Sequence, residues 1–167
     1  MLRIRPTSAA LPPSSGCQRK GARVEGAQLQ VRPCSAVDVG VLSATEAPGA
    51  DIAVRQFARQ SRGESLYLVA WIGKSLVGSG ELLFGATPEL RNLHVNEDRR
   101  GQGVGSAILD EAERSSAGAG VLSVGVSVEN TGARRLYERR GYLGTGSLTT
   151  TTYSYSCLLY TSDAADE

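Results

Sequence analysis

One glycine-rich stretch decides how this chain folds: Arg100-Gly101-Gln102-Gly103-Val104-Gly105. Residues 89–95, before it, alternate in polarity and end in a polar cluster, so they predict a β-strand. Residues 104–114, after it, repeat apolar side chains at the spacing of an amphipathic helix. The predicted order is therefore strand, glycine-rich turn, helix.

A turn of this kind is suited to binding an anion. The first backbone N–H groups of a helix lack partners within the helix, and glycines allow a phosphate to approach them closely. A mononucleotide loop would need a lysine, but Gly105-Ser106 follows without one. A dinucleotide loop would need glycine at Ser106 and an acidic residue further on, for which Glu129 is a loose match. A glycine-rich turn is also found as a plain connection, so the stretch alone leaves these alternatives open.

A second block repeats the order of strand and helix. Residues 121–128 are rich in β-branched side chains and predict a strand. Asn130 or Thr131 can cap the helix that follows. Gly141 suits the left-handed position after the helix, and Tyr142 can fold back on its last turn.

Together, the two blocks resemble the GCN5-related N-acetyltransferase (GNAT) family. Its cofactor loop has Arg or Gln, two residues, Gly, one residue, and Gly or Ala, matched here by Arg100, Gly103 and Gly105. The resemblance extends over about residues 29–155 and implies an α/β fold with a mixed, mostly antiparallel sheet flanked by helices. The second family pattern is matched by Asn130, Ala133, Leu136, Tyr137, Gly141 and Tyr142.

The chain is expected to hold one domain between two terminal segments that do not belong to it. Residues 1–27 are interpreted as a disordered leader or a start assigned too early. Residues 28–156 form the predicted acetyltransferase domain. Residues 157–167 match an in-frame translation of a sequencing adapter, so the natural sequence is expected to differ there.

The predicted element order within the domain is β-α-α-β-β-β-α-β-α-β. Family resemblance adds one more C-terminal strand that this sequence lacks, and its absence should expose strand edges. The strands are placed at residues 29–32, 66–72, 76–84, 89–95, 121–128 and 149–155, and the first two helices at residues 35–44 and 52–62.

Composition narrows the functional classes. The chain has 167 residues and a formal net charge of +1, so neither a nucleic acid nor a membrane is an expected partner. Three cysteines and a single histidine, His94, do not make a zinc site, and no metal is predicted. Arginine greatly outnumbers lysine, with Lys20 and Lys74 the only lysines, which suggests a GC-rich bacterial gene. A small domain whose cysteines are interpreted as reduced is expected to be cytoplasmic.

The resemblance implies acetyl-CoA as co-substrate. It assigns the splayed end of the strand before the loop to the pantetheine arm, and the loop to the diphosphate. The predicted contacts are Leu93, His94, Val95, Arg100, Gly101, Gln102, Gly103, Val104, Gly105, Ser106, Asn130 and Ala133.

Acetyl transfer to an amine requires removal of a proton from an alkylammonium. Glu89 stands where some family members keep their general base, although it also reads as a solvated strand end, and Glu81 is the second candidate. The Val95 N–H is predicted to stabilise the oxyanion. Tyr137 occupies the position of the general acid that protonates the departing thiolate, or it simply packs in the core.

The predicted activity is transfer of an acetyl group from acetyl-CoA to a primary amine by direct attack in a ternary complex. The amine belongs to a small molecule or a protein N-terminus, and the sequence leaves a homodimer open. A non-catalytic acyl-CoA-binding module is the alternative. A nucleic-acid-binding domain using the arginines near residues 134–140 is a third and weaker reading.

Overall fold

The computed structural model describes residues 2–6, 23–24 and 27–148, which form one mixed sheet with helices on both faces. The strands are β1 (Leu2–Pro6), β2 (Arg23–Val24), β3 (Ala27–Pro33), β4 (Ser65–Ile72), β5 (Ser75–Leu83), β6 (Glu89–Val95), β7 (Ser123–Val126) and β8 (Tyr142–Leu148). The helices are α1 (Ala36–Ser43), α2 (Ile52–Ser61), α3 (Val104–Ser115) and α4 (Thr131–Arg139), with short 3₁₀ turns at Glu97–Arg99 and Ala117–Ala119.

The strand order is β2-β3-β4-β5-β6-β7-β1-β8. Neighbouring strands are antiparallel except for β6 and β7, which are parallel. The predicted α/β class with a mixed, mostly antiparallel sheet is therefore confirmed. From β3 through α4 the predicted order of elements also matches the structure.

The two ends of the sheet differ from the predictions. Strand β1 pairs with β7 on one side and with β8 on the other. The missing C-terminal strand was expected to leave strand edges exposed here, but an N-terminal segment occupies this position in the sheet. Strands β1 and β2 lie within the residues expected to be a disordered leader. The chain re-enters the sheet at Tyr142, directly after α4, whereas the strand predicted at residues 149–155 lies outside the described residues.

Each sheet face carries its own apolar core. Helices α3 and α4 cover one face, where Leu68, Leu90 and Ile108 belong to a single buried cluster. Helices α1 and α2 cover the other face, over a smaller cluster that includes Tyr67 and Val69. Alternation along β4 explains the division, because successive side chains of a strand point to opposite faces.

Local capping fixes where the helices begin. Ser35 is the N-cap of α1, and its backbone N–H donates to Asp38 Oδ2 at 2.7 Å. Helix α2 begins where the Glu46 carboxylate accepts from the backbone N–H groups of Ile52 and Ala53. Acidic oxygens at these positions satisfy N–H groups that have no partner within the helix.

Two glycines let α3 lie close against the sheet. A Cβ atom on Gly78 would be 2.8 Å from the His94 carbonyl oxygen and 3.0 Å from Val104 Cγ1. A Cβ atom on Gly80 would be 3.1 Å from Ile108 Cγ2. The beginning of α3 therefore rests directly on the backbone of β5.

Candidate functional site

A β-bulge interrupts the pairing of β6 with β5 next to the candidate site. Ser79 faces His94 and Glu81 faces Arg91, so two residues of β6 lie opposite one residue of β5. Asn92 adopts a left-handed backbone conformation with φ of 52°, which asparagine tolerates better than most residues. The simple alternation predicted for residues 89–95 is therefore wrong, because the bulge changes the face of every side chain after Asn92.

Beyond the bulge, β6 separates from β7. The two strands pair only through Glu89 with Ser123 and Leu90 with Val124. Past Leu90, no register pair joins β6 and β7 within the described residues, and a wedge opens between them. We call this opening the β6–β7 wedge.

Backbone groups of β6 point into the wedge. The Asn96 N–H donates to the Val77 carbonyl oxygen at 3.0 Å, so it faces β5. Because the N–H groups of a strand alternate in direction, the N–H groups of Val95 and Leu93 face the wedge instead. This agrees with the close approach of the His94 carbonyl oxygen to Gly78 on the β5 side.

The glycine-rich loop lies at the open end of the wedge. Gly101 and Gly103 have φ of 70° and 79°, a region that side chains with a Cβ atom rarely adopt. Gly103 immediately precedes α3, as predicted. The loop thus turns sharply and presents the N-terminal end of α3, where partial positive charge favours an anion.

An open pocket joins the wedge to the loop. Val95 from β6 and Leu136 from α4 form its apolar walls; Leu136 was recognised in the family pattern but not predicted as a contact. Its place one helical turn after Ala133, on the same apolar face, is the signal that would have found it. The complete lining is Val95, Arg99, Arg100, Gly101, Gly103, Val104, Gly105, Ser106 and Leu136.

One unpartnered polar atom at the loop fits a bound diphosphate: the Arg100 Nε–H can donate to it, whereas the amide oxygen of Gln102 can only accept. Arg100 Nε and Gln102 Oε1 are buried and have no hydrogen-bond partner among the described residues, a state that normally requires an explanation. Gln102 Nε2 donates to the Asp98 carbonyl oxygen at 2.9 Å, which fixes the shape of the turn. The Arg100 guanidinium lies 3.7 Å from Glu97 and retains a donor for an anion at the pocket.

The remaining predicted contacts do not line this pocket. Leu93 packs in the core on the α3 side of β6. Asn130 Oδ1 accepts from the Ala133 N–H at 2.8 Å, so the Asn130 side chain caps α4. Ala133 is itself buried in the core.

His94 lies on the opposite face of β6 from α3, beside Ser79 of β5. Burial lowers the pKa of its imidazole, and the positive charge of Arg100 lowers it further, against a weaker effect of Glu97. The neutral form is therefore favoured near pH 7.

Tyr137 does not line this pocket, although its neighbour Leu136 does. Its ring is buried, and the ring centroid lies 5.9 Å from that of Tyr142. Burial raises the pKa of the Tyr137 phenol far above its ordinary value, so the group remains protonated. No described residue forms a hydrogen bond with the Tyr137 hydroxyl.

The two carboxylates considered as bases have different surroundings. Glu81 is almost wholly buried and accepts from Arg59 Nε and Nη2 at 2.7 Å each, and from the Ser65 hydroxyl at 3.0 Å. Glu89 is nearly as buried and accepts from Arg91 Nη2 at 2.7 Å. The multiple bonds to Glu81 mark it as a structural ion pair between α2 and the sheet.

Glu89 stands at the opposite end of β6 from Val95. Six residue steps of extended chain separate them by about 20 Å. The structure therefore does not bring the predicted base and the Val95 N–H together in one pocket. They lie at the two ends of a single strand.

Other kinds of site receive no support from the described residues. No group of three or more His, Cys, Asp or Glu side chains is arranged to hold a metal in that part of the chain. None of the described helices is long and apolar enough to cross a bilayer.

Comparison with known proteins agrees with this geometry. The sequence profile of the acetyltransferase (GNAT) family matches residues 39–142. The chain is similar in structure to glucosamine-6-phosphate N-acetyltransferase from Arabidopsis thaliana, with TM-score 0.58, 16% identity, and coverage of 77% of this chain and 99% of that one. A search for similar curated sequences gave no match.

Two further structures resemble the chain. PaiA N-acetyltransferase from Thermoplasma acidophilum, in complex with coenzyme A, has TM-score 0.57 and 17% identity, covering 68% of this chain and 88% of that one. The enzyme AAC(6')-Iy, in complex with a bisubstrate analogue, has TM-score 0.62 and 13% identity, covering 75% and 98%. At these identities the likeness shows the fold alone.

The fold and the pocket define an acyl-CoA-dependent acetyltransferase. The profile covers more than half of the sequence, and the chain belongs to the GNAT family. This family uses acetyl-CoA as the acetyl donor.

Proposed function

We propose that this protein transfers the acetyl group of acetyl-CoA to a primary amine by direct attack in a ternary complex. One observation carries the proposal: the β6–β7 wedge opens directly beside the N-terminal end of α3. A diphosphate at that helix end would let an extended thioester arm enter the wedge and meet the N–H groups that face it.

The loop and α3 would hold the co-substrate. Backbone N–H groups at Gly103, Val104 and Gly105 face the diphosphate position, and the Arg100 guanidinium supplies charge. The bound co-substrate supplies an activated acetyl group. The N–H groups of β6 that face the wedge hold and orient the arm by adding hydrogen bonds along the strand, as an extra strand would.

Within the wedge, the Val95 N–H is our proposed donor to the developing oxyanion. A fixed donor at such a position contributes about 3 kcal/mol to lowering the barrier. Leu93 offers an N–H with the same direction, two residues nearer to Glu89.

Glu89 is proposed to take the proton from the amine. Its separation of about 20 Å from Val95 means that the proton must pass along a chain of several water molecules. Arg91 holds the Glu89 carboxylate at 2.7 Å, which keeps it on the wall of β6.

Tyr137 is proposed to protonate the departing thiolate. Burial keeps the proton on the phenol near pH 7. Because an ordinary thiol is a stronger acid than this phenol, the transfer requires that the departing thiolate be desolvated beside Tyr137, which raises the basicity of the sulfur. Tyr137 does not line the pocket, so the acid step depends on how the Tyr137 ring is held.

The acceptor is proposed to be an amine of a small molecule or of a protein N-terminus. The arginine-rich, lysine-poor composition favours a bacterial origin, and a cytoplasmic location is proposed with it. A non-catalytic acyl-CoA-binding module is the second candidate, because Tyr137 is absent from the pocket lining and the Glu89 carboxylate is paired with Arg91.

Initial-rate kinetics with a panel of primary amines would test the proposal. Thiol release should depend on the amine, and double-reciprocal plots should intersect, as for a ternary complex. Tyr137→Phe should lower kcat about tenfold or more with little change in the Kd for acetyl-CoA. Tyr67→Phe, in the core of the opposite face, is the matched control and should leave kcat unchanged. Binding of acetyl-CoA without thiol release from any amine would favour the module instead.

A further inference from the structure

A hydrogen-bonded cluster joins the end of α3 to the beginning of β8. The Glu113 carboxylate accepts from the Tyr142 hydroxyl at Oε1, at 2.9 Å, and from Arg140 Nη2 at Oε2, at 3.0 Å. Arg140 Nη2 also donates to Asp110 on the same helix. Both oxygens of one carboxylate are therefore engaged by residues that directly follow α4.

These contacts fix the Tyr142 ring. Its side chain is buried with 2% exposure, and the hydroxyl at the far end of the ring is tied to α3. Hydrogen bonds to an ionised partner are among the stronger ones in proteins. The ring is thus held both by core packing and at its polar tip.

The Tyr142 ring packs against the ring of Tyr137. The two ring centroids lie 5.9 Å apart with an interplanar angle of 57°, a tilted arrangement that aromatic pairs favour. Tyr137 forms no hydrogen bond with a described residue, so its ring orientation depends on its packing neighbours. Tyr142 is the aromatic neighbour that the described residues provide.

The cluster connects the two helices that build the site. Helix α3 begins at the glycine-rich loop, and α4 carries Leu136 and Tyr137. We propose that Tyr142, held by Glu113, is the positioning residue that fixes the orientation of the Tyr137 ring. This proposal rests on the acid role of Tyr137 in the proposed function.

A double-mutant cycle tests the proposal in the full-length protein. Tyr142→Phe removes only the hydroxyl that contacts Glu113 and should lower kcat about fivefold, while the KM for acetyl-CoA changes less than about twofold. In a Tyr137→Phe background, the same substitution should leave the remaining kcat unchanged, because the group it positions is absent. Losses that multiply in the double variant would overturn the proposal.

A matched control separates positioning from general stability. Glu138→Gln breaks the exposed pair between Glu138 and Arg134 on the same helix, α4, and should leave kcat unchanged. Glu113→Gln keeps the size of the side chain while weakening its hold on Tyr142, and should lower kcat in the same way as Tyr142→Phe. A kcat as low in Glu138→Gln as in Glu113→Gln would contradict a specific role for the cluster.

A spectroscopic measurement decides the positioning without reference to turnover. In protein labelled with ¹³C-tyrosine, the ring signal absent from Tyr137→Phe belongs to Tyr137. That signal should shift in Glu113→Gln and stay in place in Glu138→Gln. If it does not move in Glu113→Gln, the proposal is overturned. If it moves but no amine releases thiol, the positioning stands and the acetyl-transfer function fails.

Discussion

The two halves of β6 are built from similar side chains but behave differently. At Glu89 and Leu90 the strand pairs with β7 and closes the sheet. After the bulge at Asn92, the backbone at Leu93 and Val95 turns polar groups toward an open wedge. Pairing gives stability, and the same backbone left unpaired gives a binding surface, because buried N–H groups require a partner.

Leu90→Ala should have the largest effect on stability. It changes the part of β6 that pairs with β7, here called the closed half; the part after Asn92, which faces the wedge, is called the open half. Leu90 is 1% exposed and belongs to the core under α3, so its truncation should lower the free energy of unfolding by about 3 kcal/mol. The folded variant should bind acetyl-CoA within about twofold of the wild type, because the wedge begins beyond this residue. Urea denaturation and calorimetric titration measure the two quantities. Lost affinity with unchanged stability would reverse the roles of the two halves.

Gly78→Ala should damage the open half. The new Cβ atom would be 2.8 Å from the His94 carbonyl oxygen and 3.0 Å from Val104 Cγ1, so β6 or α3 must move. We expect a loss of about 1–3 kcal/mol in stability, together with weaker acetyl-CoA binding. Gly85→Ala is the control, since no atom lies within 4 Å of its added Cβ. Equal binding by both variants would show that α3 need not rest on β5.

Acidification should weaken the open half through His94. Burial lowers the pKa of this histidine in the folded protein below its ordinary value of 6.5. Above pH 6.5 both states are neutral and His94 contributes nothing; below it the unfolded chain binds the proton first, so the free energy of unfolding falls as the pH falls toward the folded pKa. His94→Gln should lose this component. Identical pH dependence of unfolding in wild type and variant would contradict the expected shift.

Asn92→Gly should have the smallest effect. Asn92 has φ of 52°, a conformation that glycine adopts without strain. Stability should change by no more than about 0.5 kcal/mol, and the wedge should remain. Asn92→Val, which disfavours this conformation, should cost about 1–2 kcal/mol and lower the affinity for acetyl-CoA. Chemical denaturation of the pair would test whether the bulge needs this backbone angle.

The parts of the site that local patterns specify were predictable. The left-handed glycines Gly101 and Gly103, the start of α3 after them and the Asn130 cap of α4 all follow from turn and cap preferences of short segments. The same holds for the main strands, whose hydrophobic alternation or β-branched content is strong in the sequence.

The bulge and the N-terminal strand were not predictable in this way. Residues 89–95 also fit a regular strand, and Asn92 tolerates the left-handed conformation without requiring it. The spacing of Leu90 and Leu93, three apart yet both in the core, was the available signal. Pairing of β1 between β7 and β8 is a contact between distant parts of the chain, which strand propensity does not determine.

The central claim is that the wedge and the N-terminal end of α3 together bind acetyl-CoA, and a melting curve with and without acetyl-CoA tests it most directly. At about 100 times the dissociation constant, binding should add about 2.7 kcal/mol and raise the midpoint by several degrees. Adenosine diphosphate, which can meet the loop but has no arm for the wedge, should give a smaller shift. A cooperative melt that acetyl-CoA leaves unmoved would contradict the account.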